Sequence, residues 1–279
     1  PEETYPPQGL YKEISFDKLE AAVAGKYAEG KYNSFVFYQA QGNIGTDRPM
    51  VIIAPGGGYY KHTQESQLHL LCQSLARYGY ATALVKYTIE ELAEDRDFES
   101  YVKAVKDMRS AVQYFKKNAE DFRIDPENIF VGGWSSGATI SAMTAFFGEG
   151  EVNEIDQELS RVGLQDAIAN IGAEGIYTDY SSDVKGCILL FTYLLDLKIL
   201  DANEGAVMMI NHEDVVANYN YRVSVIGEFE INGIKNYGTD LIEGRALDQG
   251  YVSGGNLEYI RLDHATDKPN ESSLEKMHY

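Results

Sequence analysis

Asn128-Ile129-Phe130-Val131-Gly132-Gly133-Trp134-Ser135-Ser136-Gly137-Ala138-Thr139-Ile140-Ser141-Ala142-Met143 decides how this chain folds. Its first part is an apolar run of strand character, and its last part reads as a helix. Between them stands Gly133-Trp134-Ser135-Ser136-Gly137, a G-x-S-x-G pentapeptide at a strand-to-helix junction. The spacing has a chemical reason. A serine that attacks a carbonyl must sit on a turn sharp enough to lift its Oγ clear of the sheet. Glycines two residues to either side let strand and helix approach without a Cβ between them. The next N–H, that of Ser136, then lies at the helix N-terminus, where it can face a developing oxyanion. The alternative is a purely structural turn; the strand-turn-helix setting favours the nucleophile.

A second loop agrees with the first. Met50-Val51-Ile52-Ile53-Ala54 reads as a buried strand, and Pro55-Gly56-Gly57-Gly58-Tyr59-Tyr60 follows at once. Consecutive glycines allow backbone N–H groups to point inward at a ligand oxygen. The N–H of Gly57 or Gly58 is expected to form an oxyanion hole with that of Ser136. A flexible turn is the bland alternative. A phosphate loop fails because no Gly-Lys-Ser/Thr follows, and the G-x-G-x-x-G dinucleotide pattern is missing as well.

On these two loops the chain resembles the α/β-hydrolase superfamily. Within it, the chain is similar to the bacterial carboxylesterases with a P-G-G-G-Y loop, a group that includes acetyl esterases and relatives of feruloyl and xylan esterases. The resemblance runs over roughly residues 33 to 270. Ser74-Leu75-Ala76-Arg77-Tyr78-Gly79-Tyr80 looks like the end of the family's first helix, with Gly79 suited to a left-handed cap. Ala81 to Tyr87 reads as the next strand, Asp107 to Phe115 resembles the family's long helix, and Ile124 to Ile129 its lead into the nucleophile strand. The resemblance implies an α/β fold, a mainly parallel central sheet flanked by helices, and hydrolysis of short acyl esters, including acetyl or feruloyl esters on plant polysaccharide. It implies no cofactor and no metal.

The periodicity agrees with that class. Strand character appears near residues 11–16 and over 34–38, 50–54, 81–87, 128–134, 186–192, 206–211 and 257–262; helical spacing appears at about 65–78, 97–118, 137–147 and 239–249. Strands alternating with helices imply a parallel sheet covered on both faces. The whole chain, 1–279, reads as one such domain without an internal repeat. Residues 148–185 read as a small cap insertion, with a helical crossover as the alternative. The charge run Glu90 to Asp97 reads as a solvated loop.

A serine hydroxyl needs a base, usually His, and a carboxylate to orient it. The resemblance implies the chain order Ser, acid, His. Of the five histidines, His212, His264 and His278 follow Ser135. His264 sits just after the apparent last strand and fits the base. His212 would precede the acid, and His278 is next to the chain end. His62 and His69 read as a loop and a helix-surface histidine. The acid is expected after the strand Ala206 to Ile210, in Asn211-His212-Glu213-Asp214-Val215-Val216, where Asp214 fits best and Glu213 is the alternative. His212-Glu213 does not open a zinc motif, because H-E-x-x-H would need His at Val216.

The remaining readings are broader. With 43 acidic and 24 basic residues the net charge is −19, a surface that repels nucleic acid and anionic membranes. No stretch is long and apolar enough to span a membrane. Cys72 and Cys187 read as buried free thiols. The chain begins at Pro1, so a missing signal peptide says nothing of compartment, and cytoplasmic, secreted and periplasmic placements stay open. Tyr59, Tyr60 and Trp134 are candidate walls of the acyl pocket, although Trp134 serves a core equally well. Tyr177 and Tyr180 join the leaving-group side if 148–185 is a cap. Expected partners are small-molecule or carbohydrate esters; oligomeric state does not follow. A peptidase of the same fold would need a large gating domain, and 279 residues leave no room for it. A non-catalytic binding member would lack a triad residue, whereas candidates for all three stand in order.

Overall fold

The computed structural model describes residues 11–15, 34–41, 47–89, 98–147, 177, 179–201, 204–212, 228–231 and 234–262. Among them the strands are β1 (Tyr11–Ser15), β2 (Ser34–Tyr38), β3 (Arg48–Ala54), β4 (Ala81–Lys86), β5 (Ile124–Trp134), β6 (Gly186–Leu190), β7 (Tyr193–Leu194), β8 (Ala206–His212), β9 (Glu228–Ile231), β10 (Ile234–Gly238) and β11 (Leu257–Leu262). The α-helices are α1 (Glu65–Arg77), α2 (Phe98–Lys117), α3 (Ala119–Phe122), α4 (Ser136–Phe146) and α5 (Thr239–Asp248). Eight strands form one sheet in the order β1-β2-β4-β3-β5-β6-β8-β11. The β1–β2 and β2–β4 pairs are antiparallel, and every pair from β4 to β11 is parallel. This is the mainly parallel, helix-flanked sheet expected from the sequence.

The central strands are apolar throughout because both faces are covered. Successive side chains alternate between faces. Met50, Ile52 and Ala54 of β3 join Val131 and Leu189 against Met108, Val112 and Phe115 of α2, Ile140 of α4 and Ile242 of α5. Val51 and Ile53 join Leu190 and Ile210 against Leu68 and Cys72 of α1. Helix α4 is wedged between the sheet and α2, and nearly every one of its side chains is buried. That explains its small residues. The buried Arg109 of α2 donates to the carbonyls of Met143 and Phe147 and so caps its far end. Helix α1 ends as expected: Gly79 has φ 92°, its N–H donates to the Ala76 carbonyl at 3.1 Å, and that of Tyr80 to Leu75 at 3.1 Å.

Topology selects where a site can form. The chain leaves β3 through α1 to β4 on one side, then passes back through α2 and α3 to β5 on the other. Strands β3 and β5 are paired neighbours, with Ala54 opposite Gly133. Loops following them diverge and open a crevice at the carboxyl edge of the sheet, where ligands bind in folds of this kind.

Some elements differ from expectation. Strand β5 starts at Ile124, earlier than Asn128, since Ile124 already pairs with Arg48 before the register shifts ahead of Met50. The apolar run 186–192 divides, with β6 ending at Leu190 and β7 starting at Tyr193. Strands β7, β10 and β9 form a small antiparallel sheet that was not expected. Residues 148–176 and 178 of the suggested cap lie outside the described residues. Its described end is at the opposite, amino edge of the sheet. The Lys185 N–H bonds to the Ile129 carbonyl at 2.8 Å, because the chain must return there to start the parallel β6. Tyr177 packs on Tyr114, 6.1 Å between ring centroids, with the Lys117 ammonium 4.4 Å over its ring. That is the end of α2 remote from Ser135, so Tyr177 does not line the nucleophile's crevice. No helix of the described residues is long and apolar enough to cross a membrane.

Cys72 and Cys187 are free and buried in different core clusters. Burial pushes the Cys72 thiol up to about 12 and raises Cys187 as well. Reaction needs thiolate. Maleimide labelling of the native protein at pH about 8 is therefore expected to be negligible, with both cysteines reacting once denaturant is added; rapid labelling of the native protein would contradict this burial.

Candidate active site

Ser135 stands between β5 and α4 with φ 51° and ψ −118°. For a residue other than glycine such a backbone costs on the order of 1–3 kcal/mol and must be imposed by its surroundings. The restraints are specific. The Ser135 N–H donates to the Leu190 carbonyl at the end of β6, at 2.8 Å, and its carbonyl accepts the Thr139 N–H at 3.0 Å. The Thr139 hydroxyl donates to the Tyr193 carbonyl at 3.0 Å, which fixes the first turn of α4 against the start of β7.

The flanking glycines are a packing requirement. A Cβ on Gly137 would stand 2.2 Å from the Ala54 carbonyl oxygen and 2.5 Å from that of Pro55. One on Gly133 would stand 2.4 Å from the Gly137 carbonyl carbon. The start of α4 therefore touches the end of β3 backbone to backbone.

That contact brings the two loops together. Gly56 packs under Trp134, and its carbonyl accepts the Thr63 N–H at 2.8 Å, closing the loop on itself. Gly57 has φ 128°, and a Cβ there would fall 2.0 Å from the Lys61 carbonyl oxygen. Gly58 follows with φ 67° and Tyr59 with φ 69°. The Gly58 N–H donates to the Ser136 hydroxyl at 2.9 Å. Neither the Gly57 N–H nor the Ser136 N–H has a protein acceptor among the described residues.

Aromatic residues line the loop. Tyr59 meets Tyr101 edge-on at 5.2 Å, and burial raises the hydroxyls of Tyr59, Tyr87 and Tyr101, so all three stay neutral phenols. Tyr60 is 37 % exposed, with the Lys61 ammonium 5.3 Å over its ring. Trp134 is half-buried, its ring 4.3 Å from that of Phe191 beside the α1 core cluster. The structure thus brings Gly57, Gly58, Tyr59, Trp134 and Ser136 close around the Ser135 turn, with Tyr60 exposed beside them. Asp214, Glu213 and His264 lie outside the described residues. The strands that lead to them end side by side, His212 of β8 opposite Leu262 of β11.

The sequence reading missed His62, Tyr87, Tyr101 and Tyr193. His62 is not a plain loop histidine: its Nε2 lies 3.0 Å from the Tyr87 carbonyl and its ring meets the Tyr87 ring at 4.7 Å. The three tyrosines carry no sequence signal, since the chain has 21 of them. Burial, opposed by Glu65, holds the His62 pKa below its ordinary value. Among the described residues no group of three or more His, Cys, Asp or Glu is placed to hold a metal.

Two measurements test this geometry. Gly137→Ala should destabilise the protein by about 3 kcal/mol or more in denaturant unfolding, the upper range for overpacking, because the blocking atoms are backbone; a change under about 1 kcal/mol would contradict the contact. A depressed His62 pKa means the unfolded chain takes up a proton that the folded protein does not. Stability is then complete above about pH 6.5 and falls as the pH drops below it. Thermal unfolding of His62→Gln should accordingly lose less stability than the wild type between pH about 7.5 and about 5.5; parallel slopes would remove the effect.

An esterase from the Planctomycetes species Thermogutta terrifontis, Est2, superimposes in its native form with a TM-score of 0.65 at 14 % identity, over 99 % of this chain and 92 % of that one. Its propionate-bound form gives a TM-score of 0.65 at 14 % identity over 98 % and 93 %. The same esterase phosphorylated by paraoxon gives 0.63 at 14 % identity over 93 % and 85 %. At this identity the likeness establishes the α/β-hydrolase fold. No curated protein sequence matches the chain. Residues 37–181, just over half of its length and including both loops, match the BD-FAE family model; the chain belongs to the BD-FAE family.

Proposed function

We propose that this chain is a serine carboxylesterase that hydrolyses short-chain acyl esters through an acyl-enzyme on Ser135. The observation that carries the reading is the imposed conformation of Ser135 at the carboxyl edge of the sheet, beside two backbone N–H groups that have no acceptor among the described residues. Ser135 Oγ attacks the ester carbonyl while His264 takes its proton. Asp214 orients His264 and stabilises its charged form. The N–H groups of Ser136 and of the glycine loop hold the oxyanion. The C–O bond then breaks, and the alcohol leaves with the proton from His264. Water, deprotonated by His264, attacks the acyl-enzyme; the bond from Ser135 Oγ to the acyl carbon breaks, Oγ takes the proton back from His264, and the acid is released. The pairing of His212 with Leu262 supports the last two roles, since Asp214 and His264 each follow two residues after the end of adjacent strands. No metal or cofactor is required by these steps.

Short acyl groups are favoured because Tyr59 and Tyr101 crowd the loop, and because the Thermogutta esterase has been solved with propionate and with butyrate bound. An acetyl or feruloyl ester on plant polysaccharide is the second substrate class; the exposed Tyr60 ring at the rim would suit a sugar or phenolic face. The net charge of −19 argues against nucleic acid as a partner.

The test is hydrolysis of p-nitrophenyl esters from acetate to octanoate by the wild type, Ser135→Ala, His264→Ala and Asp214→Asn. Acetate and butyrate are expected to be the best substrates. Ser135→Ala and His264→Ala should each lose on the order of 10⁴-fold or more in kcat, and Asp214→Asn somewhat less. Activity persisting in Ser135→Ala would overturn the assignment, and an inactive wild type would point to a binding protein.

A further inference from the structure

In the proposed chemistry the residue after the nucleophile needs only its backbone N–H. Here its side chain is also engaged. The Ser136 hydroxyl belongs to a fully buried residue, accepts the Gly58 N–H at 2.9 Å and lies 3.3 Å from the Tyr87 hydroxyl. Tyr87, just beyond β4, is fully buried too, and His62 holds it through its carbonyl and a T-shaped ring contact. A chain of contacts therefore runs from His62 through Tyr87 and Ser136 to the backbone of the glycine loop.

That loop needs an outside tie. Gly57, Gly58 and Tyr59 have successive φ values of 128°, 67° and 69°, which no regular element propagates. The Gly56–Thr63 bridge closes its base, and the Tyr59 ring anchors its far side on Tyr101. The Gly58–Ser136 hydrogen bond joins it to the helix that follows the nucleophile. Oxyanion donors act only when about 2.7–3.1 Å from the oxygen they serve, so the relative placement of loop and elbow matters for rate.

Resting on the esterase reading, we propose that the Ser136 hydroxyl, steered by Tyr87, is a positioning residue: it pins the Gly57–Gly58 peptide through the Gly58 N–H and, across the Gly57 Cα, holds the adjoining Gly56–Gly57 peptide so that the Gly57 N–H faces the oxyanion. Gly58 then acts through its tie to Ser136, and Gly57 is the loop's donor. Without the hydroxyl, the half-buried Gly58 N–H loses its protein acceptor, and the peptide is free to turn toward another.

The test uses Ser136→Ala, which keeps the backbone N–H, together with Tyr87→Phe, the double variant and Ser135→Ala. The readouts are kcat and KM on p-nitrophenyl acetate, inhibition by a trifluoromethyl ketone that forms a tetrahedral adduct, and thermal unfolding. Ser136→Ala should lower kcat by about 10- to 100-fold with KM changed less than about twofold, because a donor is displaced and not removed. Inhibition by the ketone should weaken by the same factor. Tyr87→Phe should cost about threefold in both, and the double variant should be no worse than Ser136→Ala alone, since Tyr87 acts through Ser136. Retention of kcat and ketone inhibition within about twofold in Ser136→Ala, or losses that multiply in the double variant, would overturn the proposal. If Ser136→Ala does not fold, Tyr87→Phe decides, and unchanged ketone inhibition there overturns it. Failure of the esterase reading itself shows separately, as an inactive wild type or as activity persisting in Ser135→Ala.

Discussion

The start of α4 touches the end of β3 with no side chain between them, and the rest of the site depends on that contact. Gly137 would place a Cβ 2.2 Å from the Ala54 carbonyl oxygen, so glycine alone fits. Because the two backbones meet, the loop that follows β3 and the turn that follows β5 share one wall. Gly56 then lies under Trp134, the Gly58 N–H reaches Ser136, and Ser135 is held with φ 51° between them. A methyl group at Gly137 would push the two apart and break each of these relations at once.

Topology and burial convert the contact into a site. The chain turns in opposite directions after β3 and β5, which opens the crevice, and the N-terminus of α4 faces it with a partial positive charge. Behind the loop the described tyrosines are buried: burial keeps Tyr59, Tyr87 and Tyr101 as neutral phenols and disfavours protonation of His62. Hydrogen-bond donors in such a place act in a low dielectric and need little reorganisation as charge develops. The net charge of −19 describes the protein as a whole and not this lining.

Much of this was legible in the sequence because it rests on local rules. Apolar strands buried on both faces and helices of regular spacing appear within a few residues of their expected places, and Gly133, Ser135 and Gly137 announce the elbow through a spacing that sterics enforce. The early start of β5 escaped notice because Asp125 and Pro126 have little strand propensity, and tertiary pairing overrode it. The β9–β10 pairing does carry a sequence signal: Ile231 pairs with Ile234, and the two residues between them in the sequence are Asn-Gly, a dipeptide that favours tight hairpin turns. His62, Tyr87 and the Ser136 side chain had none. Their partners are distant in the chain, and no pattern distinguishes one buried tyrosine from the others. Asp214 and His264 rest on chain order together with the pairing of His212 and Leu262.

We propose that Ser135 is a nucleophile prepared by the fold. The most direct measurement is intact-mass and peptide analysis of the native protein after treatment with a fluorophosphonate probe. The account predicts one adduct per chain, on the peptide that contains Ser135, and none on heat-unfolded protein. No adduct on the native protein, or an adduct on another serine with Ser135 unmodified, would contradict it.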